Sequence, residues 1–426
     1  MIPSTCTIII PCTNDAEHLR GLLPRLQEVL HELKNSSEIL VATNTDTKDN
    51  TISVAQQYGV RTVAASEPGY GSALLAAFSA CDTDYIITMD PDYSHHPAFL
   101  KYLFQMRHEA DIIIASRHTP GGHSETPRYR RWTSCLLNIF LGKALALPIH
   151  DLTSGYRLYR RSAIAQLNLR HSTYAILPEI LVKAWSEGFK AYEIPFHYLP
   201  HPEHKRKAHV RSIQVALDYL GVLKEMWKVR NSIESADYDW RGFDSRIPLQ
   251  KWWQRKRYRI ILEFIGNRLR VLDAGCGSTQ ILDAAPQAIG MDIKLRKLRF
   301  VRRPGRMLSN ASVFALPFRD AAFEVVVCSE VIEHIPEDPV ILDELLRVLE
   351  PGGSLILGTP DYGSWQWPFI EKLYGFFQRG GYADEHITHY TRASLLDSLQ
   401  KRGLEILETQ WICSAEMIVH ARKPSK

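Results

Sequence analysis

Asp90 and Asp92 stand two residues apart where the apolar run "YIITM" gives way to "DPDYSHHP". Two carboxylates ending a hydrophobic strand call for a cation, and in an open parallel sheet ligands gather at the carboxyl ends of strands. Such a pair can hold a hard divalent ion, Mg²⁺ or Mn²⁺, partly through water, against a diphosphate. A capping Asp with a solvated turn accounts for the same letters, since Asp-Pro-Asp is also good turn chemistry. A second chemical stretch lies far downstream in "RVLDAGCGSTQIL". Gly275 and Gly277 allow a tight turn after a strand and a close backbone approach to a ligand. The motif is not the G-x-G-x-x-G of NAD-binding chains, because position 280 is Gln. The next strand, "AIGMD", ends at Asp292, placed to accept hydrogen bonds from two ribose hydroxyls.

Basic residues gather where phosphate would need them: Arg117, Arg130 and Arg131, then Lys205, Arg206 and Lys207 in "PEHKRKAH". Guanidinium forks match phosphate oxygens, although each residue taken singly also reads as part of a solvated face. In the second half His334, His386 and His389 are candidate bases, with capping or lid packing as the simpler role. Trp132 and the stripe from Leu136 to Phe140 read as core, though an acyl chain would suit that face too. "YGSWQWPFIEKLYGFFQRGGY" reads as an acceptor-binding insert or a partner-binding surface.

The elements that must position these residues alternate. "CTIIIP", "EILVAT", "RTVAAS", "YIITMD" and "ADIIIAS" are strand-like, each followed by a helical pattern, which indicates a mainly parallel α/β sheet. The polar stretch "NSIESADYDWRGFDSRIP" interrupts the rhythm, and "LRVLDAG", "QAIGMD", "FEVVVCS" and "GSLILGTP" restart it. The expectation is an α/β protein of two tandem doubly wound domains: residues 1–228, a linker 229–248, and residues 249–426. A length of 426 residues gives room for that, and 45% hydrophobic with 23% charged residues is ordinary globular composition. The formal charge of +4 argues for local basic clusters facing anionic substrates rather than for nucleic acid. Seven scattered cysteines without a CxxC pair suit a reducing cytoplasm. No signal peptide opens the chain, and "SCLLNIFLGKALALPI" is too short to span a bilayer.

The first 210 residues or so resemble the dolichol-phosphate mannosyltransferase group of family-two glycosyltransferases, in the family's order. The match runs through "TIIIPCTNDAEHL", "PGYGSALLAAF", "MDPDYSHHP", "DIIIASRHTPGG" and "RYRRWTSCLLNIFLGKALALPIHDLTSGYRLYRRSAI". The resemblance implies a GT-A fold, a metal at Asp90 and Asp92, and inverting transfer of a hexose to a polyprenyl phosphate. It places the nucleotide sugar at Pro11, Asn14, Asp15, Asp46, Gly69 and Gly71. Arg117 and Arg131 would contact phosphate during catalysis, with Arg130, Ser154, Arg157, Lys205 and Lys207 toward the acceptor phosphate. His95 matches a family histidine and would hold the loop. A phosphate monoester has a second pKa of about 6, so the nucleophile needs no general base. The family's "VDDGSTDGT" is here "ATNTDTKDNT", with Asn44 and Thr45 for the paired Asp, and the first loop reads Thr13-Asn14-Asp15. These departures leave a GDP- or UDP-hexose donor open, and also an inactive module that only binds a lipid-linked sugar.

Residues 250 to 426 or so resemble class I S-adenosylmethionine-dependent methyltransferases. The glycine loop and acidic strand end are followed in order by "ALPFRDAAFEVVVCSEVIEHI" and "LDELLRVLEPGGSLILGTP". The resemblance implies that Asp273, Gly275 and Gly277 hold the methionine end of S-adenosylmethionine and Asp292 its ribose. Ser312 stands where the family often carries an adenine-contacting Asp, and Glu330 completes the cofactor set. The joint reading is a bifunctional enzyme at the cytoplasmic membrane surface. It would transfer a hexose and methylate a glycan, lipid or other small acceptor.

Overall fold

The computed structural model describes residues 5–33, 37–200, 204–377 and 386–425, with the backbone alone for residues 33, 204–216 and 373–377. The chain divides into two compact units, Met1–Arg230 and Asn231–Lys426.

In the first unit the β-branched runs become strands. These are β1 (Cys6–Pro11), β2 (Ser37–Thr43), β3 (Arg61–Ala64), β4 (Tyr85–Thr88), β5 (Ile112–Ser116), β6 (His123–Ser124), β7 (Arg157–Arg160), β8 (Ala191–Pro195) and β9 (His197–Tyr198). Seven of them form one sheet in the order β3-β2-β1-β4-β7-β5-β8, and β6 pairs with β9 alone. β1 runs parallel to both β2 and β4, with Ile8 opposite Ile39 and Ile87. β7 is antiparallel between β4 and β5. Every residue of β1, β4 and β5 is buried, because helices cover both faces. Ile9, Leu40, Ile86 and Ile114 pack on one face, and Ile8, Ile10, Val41 and Ile87 on the other. Each contributes roughly 1.5–3 kcal/mol by leaving water. The strand order reverses between β1 and β4, where ligands of such sheets gather at the carboxyl ends, and Asp90 stands two residues beyond β4.

The Arg128–Ala144 helix differs from expectation. It buries Asn138, Leu141 and Gly142, while Trp132 is 64% and Leu136 60% exposed, with Ile139 and Phe140 about half exposed. The expected core stripe is an open apolar face. The cause is the opposite face, where Asn138 donates to Thr153 Oγ1 (3.1 Å) and accepts from Leu152 N (2.7 Å). That polar grip fixes the helix with its aromatic side outward. The last turn is closed by fully buried Arg230, which donates to the carbonyls of Leu145 (2.9 Å) and Ala146 (3.0 Å).

The second unit contains β10 (Val271–Ala274), β11 (Ile289–Asp292), β12 (Met307–Asn310), β13 (Phe323–Ser329), β14 (Leu349–Pro360), β15 (Glu405–Ile412) and β16 (Glu416–Arg422). Their order is β12-β11-β10-β13-β14-β16-β15, with β16 antiparallel to both of its neighbours. Here the reversal lies between β10 and β13, and the glycine loop follows β10. The stretch 229–248 is not a bare connection. From Asn231 on it belongs to this unit and includes the Tyr238–Phe243 helix. Among the described residues no helix is long and apolar enough to cross a membrane.

Candidate functional sites

At the β1–β4 crevice, Asp92 is buried and its Oδ1 accepts from Ser94 N (3.2 Å) and from the Ser94 hydroxyl. Asp90 is a third exposed. A Cβ on Gly155 would fall 2.8 Å from the Tyr70 hydroxyl and 3.6 Å from Asp90 Oδ1, so a glycine lets those groups approach. Burial, aided by the Asp90 charge, pushes the Tyr70 hydroxyl well up. Burial and then the charges of Asp92 and Asp90 push Tyr198 up to about 12. Two carboxylates stand at this strand end, and oxygen donors of that kind fit a hard divalent cation. His95 stacks on Tyr156 at 4.6 Å and its Nδ1 accepts from Asp90 N (2.8 Å). Burial lowers its pKa to about 4, so near neutrality it is an uncharged prop for the Asp90 backbone.

Arg117 follows β5. Its Nε and Nη2 donate to the two oxygens of buried Asp151 (2.8 Å each), and Nη2 also reaches Thr153 Oγ1 (2.9 Å). Burial alone would raise the Asp151 carboxyl, but the Arg117 guanidinium outweighs it and holds the group well below the usual carboxylate range. The next residue, His118, bonds Ser134 at 3.2 Å, which ties this loop to the Arg128–Ala144 helix carrying Arg130 and Arg131. Arg130 Nε donates to Tyr129 OH (3.0 Å) on that helix's first turn.

The loop after β1 is held from within. Asp15 accepts from Thr13 N (2.6 Å) and pairs with His18 (3.1 Å). Asn14, at φ 60°, donates to Asp46 O (3.1 Å) and accepts from Lys48 N (2.7 Å) and Asp49 N (3.1 Å). Asn44 bonds Thr13 Oγ1 (2.9 Å), Gly69 O (3.1 Å) and Asp46 N (2.9 Å). Asp49, absent from the expected set, accepts from Thr51 N (3.0 Å) and Ala16 N (3.1 Å) and joins two helix starts.

In the second unit Asp273 lies within β10, buried, and its Oδ2 has no hydrogen-bond partner among the described residues. Burial, with the Asp292 charge, pushes its carboxyl up to about 7. Asp292 accepts from Gly277 N (2.8 Å) and Lys294 N (2.7 Å). Gly275 and Gly277 have φ of 80° and 54°, and a Cβ on Gly275 would fall 2.3 Å from Val331 Cγ2. Above the loop, Asp239 accepts from Ser278 N (2.9 Å), Ser278 Oγ (3.0 Å) and Lys297 Nζ (2.7 Å). Glu330, at φ 57° just beyond β13, pairs with Arg257 (2.9 Å), which also holds buried Glu416 (2.6 Å), while Glu330 Oε1 has no partner among the described residues. Ser312 accepts from Phe314 N (3.3 Å). His386 contacts the Tyr362 hydroxyl through Nδ1 (2.7 Å) and lies 4.9 Å from His334 between ring centres, and His389 stacks on Tyr362 at 4.1 Å.

Residues 7–167 match the family model described as glycosyl transferase family 2, and residues 247–409 match one described as methyltransferase domain. The chain joins a family-two glycosyltransferase domain to a methyltransferase domain. An uncharacterized glycosyltransferase of Mycobacterium tuberculosis is 29% identical over 209 residues, covering 49% of this chain and 91% of that protein. The polyprenol monophosphomannose synthase of Mycolicibacterium smegmatis is also 29% identical, over 45% of this chain and 76% of its own. A probable S-adenosylmethionine-dependent methyltransferase of the same organism is 28% identical over 38% of this chain and 62% of its own.

In the glycosyltransferase domain several expected ligand residues are spent on the protein. Fully buried Arg157 donates to the carbonyls of Leu177 (2.9 Å) and Leu152 (2.6 Å), and buried Ser154 donates to Ala115 O (2.8 Å). Neither can meet an acceptor phosphate from that position. A Cβ on Gly69 would fall 2.3 Å from Ser172 O, and one on Gly71 2.2 Å from His171 O. At both positions the missing Cβ admits the protein's own backbone. Asp15 is likewise consumed by its own loop. Pro11 ends β1 and is buried, whereas the Asp46 carboxylate is exposed. Lys205 and Lys207 fall outside the residues whose side chains are described. In the methyltransferase domain Asp273 lies in β10 with Gly275 and Gly277 in the loop after it, Asp292 ends β11 and Glu330 follows β13. Asp239 was missed because its stretch has no strand or helix period.

Proposed function

We propose that the glycosyltransferase domain moves a hexose from a nucleotide sugar to a polyprenyl phosphate, with inversion, at a membrane surface. The observation that carries this reading is one neighbourhood in the first unit. Asp90 and Asp92 follow β4, Arg117 is pinned by Asp151, and His118 ties the same loop to a helix with arginines at its start and an open apolar side. Asp90 and Asp92 would hold a Mg²⁺ or Mn²⁺ ion, which supplies positive charge to the departing diphosphate. Arg117 Nε and Nη2 are committed to Asp151, so its Nη1 edge is the side that would face a phosphate, with Arg130 and Arg131 partly buried at the start of the helix. The apolar face would lie in the interface with its arginines toward lipid phosphates. The names of the polyprenol-phosphate relatives support the acceptor class.

The methyltransferase domain would use S-adenosylmethionine. Buried Asp273 Oδ2, without a hydrogen-bond partner among the described residues, suits the cationic amino end of that cofactor, and Asp292 its ribose hydroxyls. When bound, the cofactor supplies an electrophilic methyl group, and the chain's own part is to position the acceptor. Methylation of an oxygen on the same glycan or lipid product would place both units in one sequence of reactions.

Isothermal titration with GDP and then UDP, each with Mn²⁺, tests the first reading against an Asp90→Ala/Asp92→Ala control. Metal-dependent binding lost in the control supports a live transferase and names its donor class. Binding of S-adenosylhomocysteine without either nucleotide would favour a second reading, a methyltransferase carrying an inactive sugar-binding module. The internal bonding of Asn44 and Asp15, residues that would otherwise face the base, is what keeps that reading in play.

A further inference from the structure

We propose that Glu333, His334 and His386 form a divalent transition-metal site at the rim of the methyltransferase crevice, distinct from the pair Asp90 and Asp92. One ligand atom from each of the three lies within 4.8 Å of the others. Two chain segments some fifty residues apart are bolted together to make this cluster. Ile387 N and Thr388 N donate to Glu333 O (2.8 and 3.1 Å), and Thr388 Oγ1 donates to Ile335 O (2.7 Å).

The independent sign of a ligand is Glu333 itself. It is wholly buried; Thr359 donates to its Oε2 (3.1 Å), and its Oε1 has no hydrogen-bond partner among the described residues. A buried carboxylate oxygen left without a donor is costly unless a cation meets it. His386 is oriented as ligating histidines are, because its Nδ1 is engaged by Tyr362 OH (2.7 Å), whose hydroxyl also bonds Glu371 Oε1 (2.8 Å). Nε2 is then the nitrogen assigned to the metal. Metal–ligand bonds of about 2.1 Å put donors about 3.4 Å apart, so closure onto an ion needs a contraction of at most about 1.4 Å from the 4.8 Å limit. One carboxylate and two imidazoles suit Mn²⁺, Zn²⁺ or Co²⁺ and leave positions open for a further ligand.

The place of the site says what that ligand is. Val331, which packs against Gly275, precedes Glu333 by two residues, so the metal stands beside the expected methyl donor. This part of the inference rests on the methyl-transfer reading. The acceptor is an alcohol or phenol whose oxygen ligates the ion and whose proton passes to solvent. That oxygen forms its bond to the methyl carbon as the carbon–sulfur bond breaks, and S-adenosylhomocysteine leaves.

The test is Co²⁺ titration of the full chain carrying Asp90→Ala/Asp92→Ala, followed by the visible absorption of the bound ion. One equivalent should bind, and Glu333→Gln or His334→Ala added to that background should weaken it by at least ten-fold. S-adenosylhomocysteine binding in each variant shows that the unit is folded, and half-exposed His334 covers the case in which Glu333→Gln does not fold. Absence of Co²⁺ binding in the parent, or binding unchanged by both substitutions, overturns the site. Co²⁺ bound as expected by a parent that does not take S-adenosylhomocysteine would sustain the metal site and count against the methyl-transfer reading.

Discussion

Single residues in this chain separate into those whose polar atoms are met by protein and those with a buried polar atom left without a hydrogen-bond partner among the described residues. Asp273 is of the second kind. Its folded-state carboxyl, at about 7, sits above its ordinary value of 3.8. Between those values the folded chain keeps a proton that the unfolded chain has released, so ligand-free stability falls as pH rises through that window. Asp273→Asn should flatten this fall, raising the melting temperature of the second unit at pH 8. It should also weaken S-adenosylhomocysteine at least about ten-fold, because a charged hydrogen bond is lost; calorimetry across pH reads both effects. Asp151 is of the first kind. Asp151→Asn leaves the Arg117 charge poorly compensated and should cost about 3–5 kcal/mol, read from the urea midpoint of the first unit's transition. The added substitution Arg117→Met should recover part of that loss, since replacing a buried pair is cheaper than breaking it.

Elements decide which of these residues were readable beforehand. The place of Asp90 and Asp92 just beyond β4 was legible because an apolar strand ends there, and strand ends are visible in the letters. Arg157 was not readable because its motif shows a guanidinium but not that it is fully buried, with its donors on the carbonyls of Leu177 and Leu152. Gly69 and Gly71 carry a packing role that the letters do not show, since the backbone they admit comes from residues 171–172, a hundred positions away. The Arg128–Ala144 helix was read inside out, because an apolar stripe does not record whether anything packs on it. That same helix yields a prediction. Trp132→Ser/Leu136→Ser/Phe140→Ser should leave thermal stability nearly unchanged, as all three side chains are open to solvent. Binding to anionic phospholipid vesicles, measured by sedimentation, should fall at least about ten-fold, because the buried apolar area is the attraction.

At the scale of the whole molecule the alternation of strands and helices was enough to place two α/β domains in order, and the family models match both. The exact join was less legible, since the polar stretch before residue 249 shows no period yet contributes Asp239 to the glycine loop. A fragment of residues 231–426 should therefore bind S-adenosylhomocysteine as the full chain does, whereas one starting at 249 should bind more weakly, by titration of each. The neighbour of Asp239 carries this further. Trp240 N lies 3.4 Å from Ser278 Oγ, and its indole meets the Phe300 ring at 5.8 Å. An indole fastened to the segment over the cofactor loop is a fluorophore supplied by the fold. Its emission should shift when the loop tightens on S-adenosylhomocysteine, and Trp240→Phe should silence that change, giving a dye-free optical titration of the second unit.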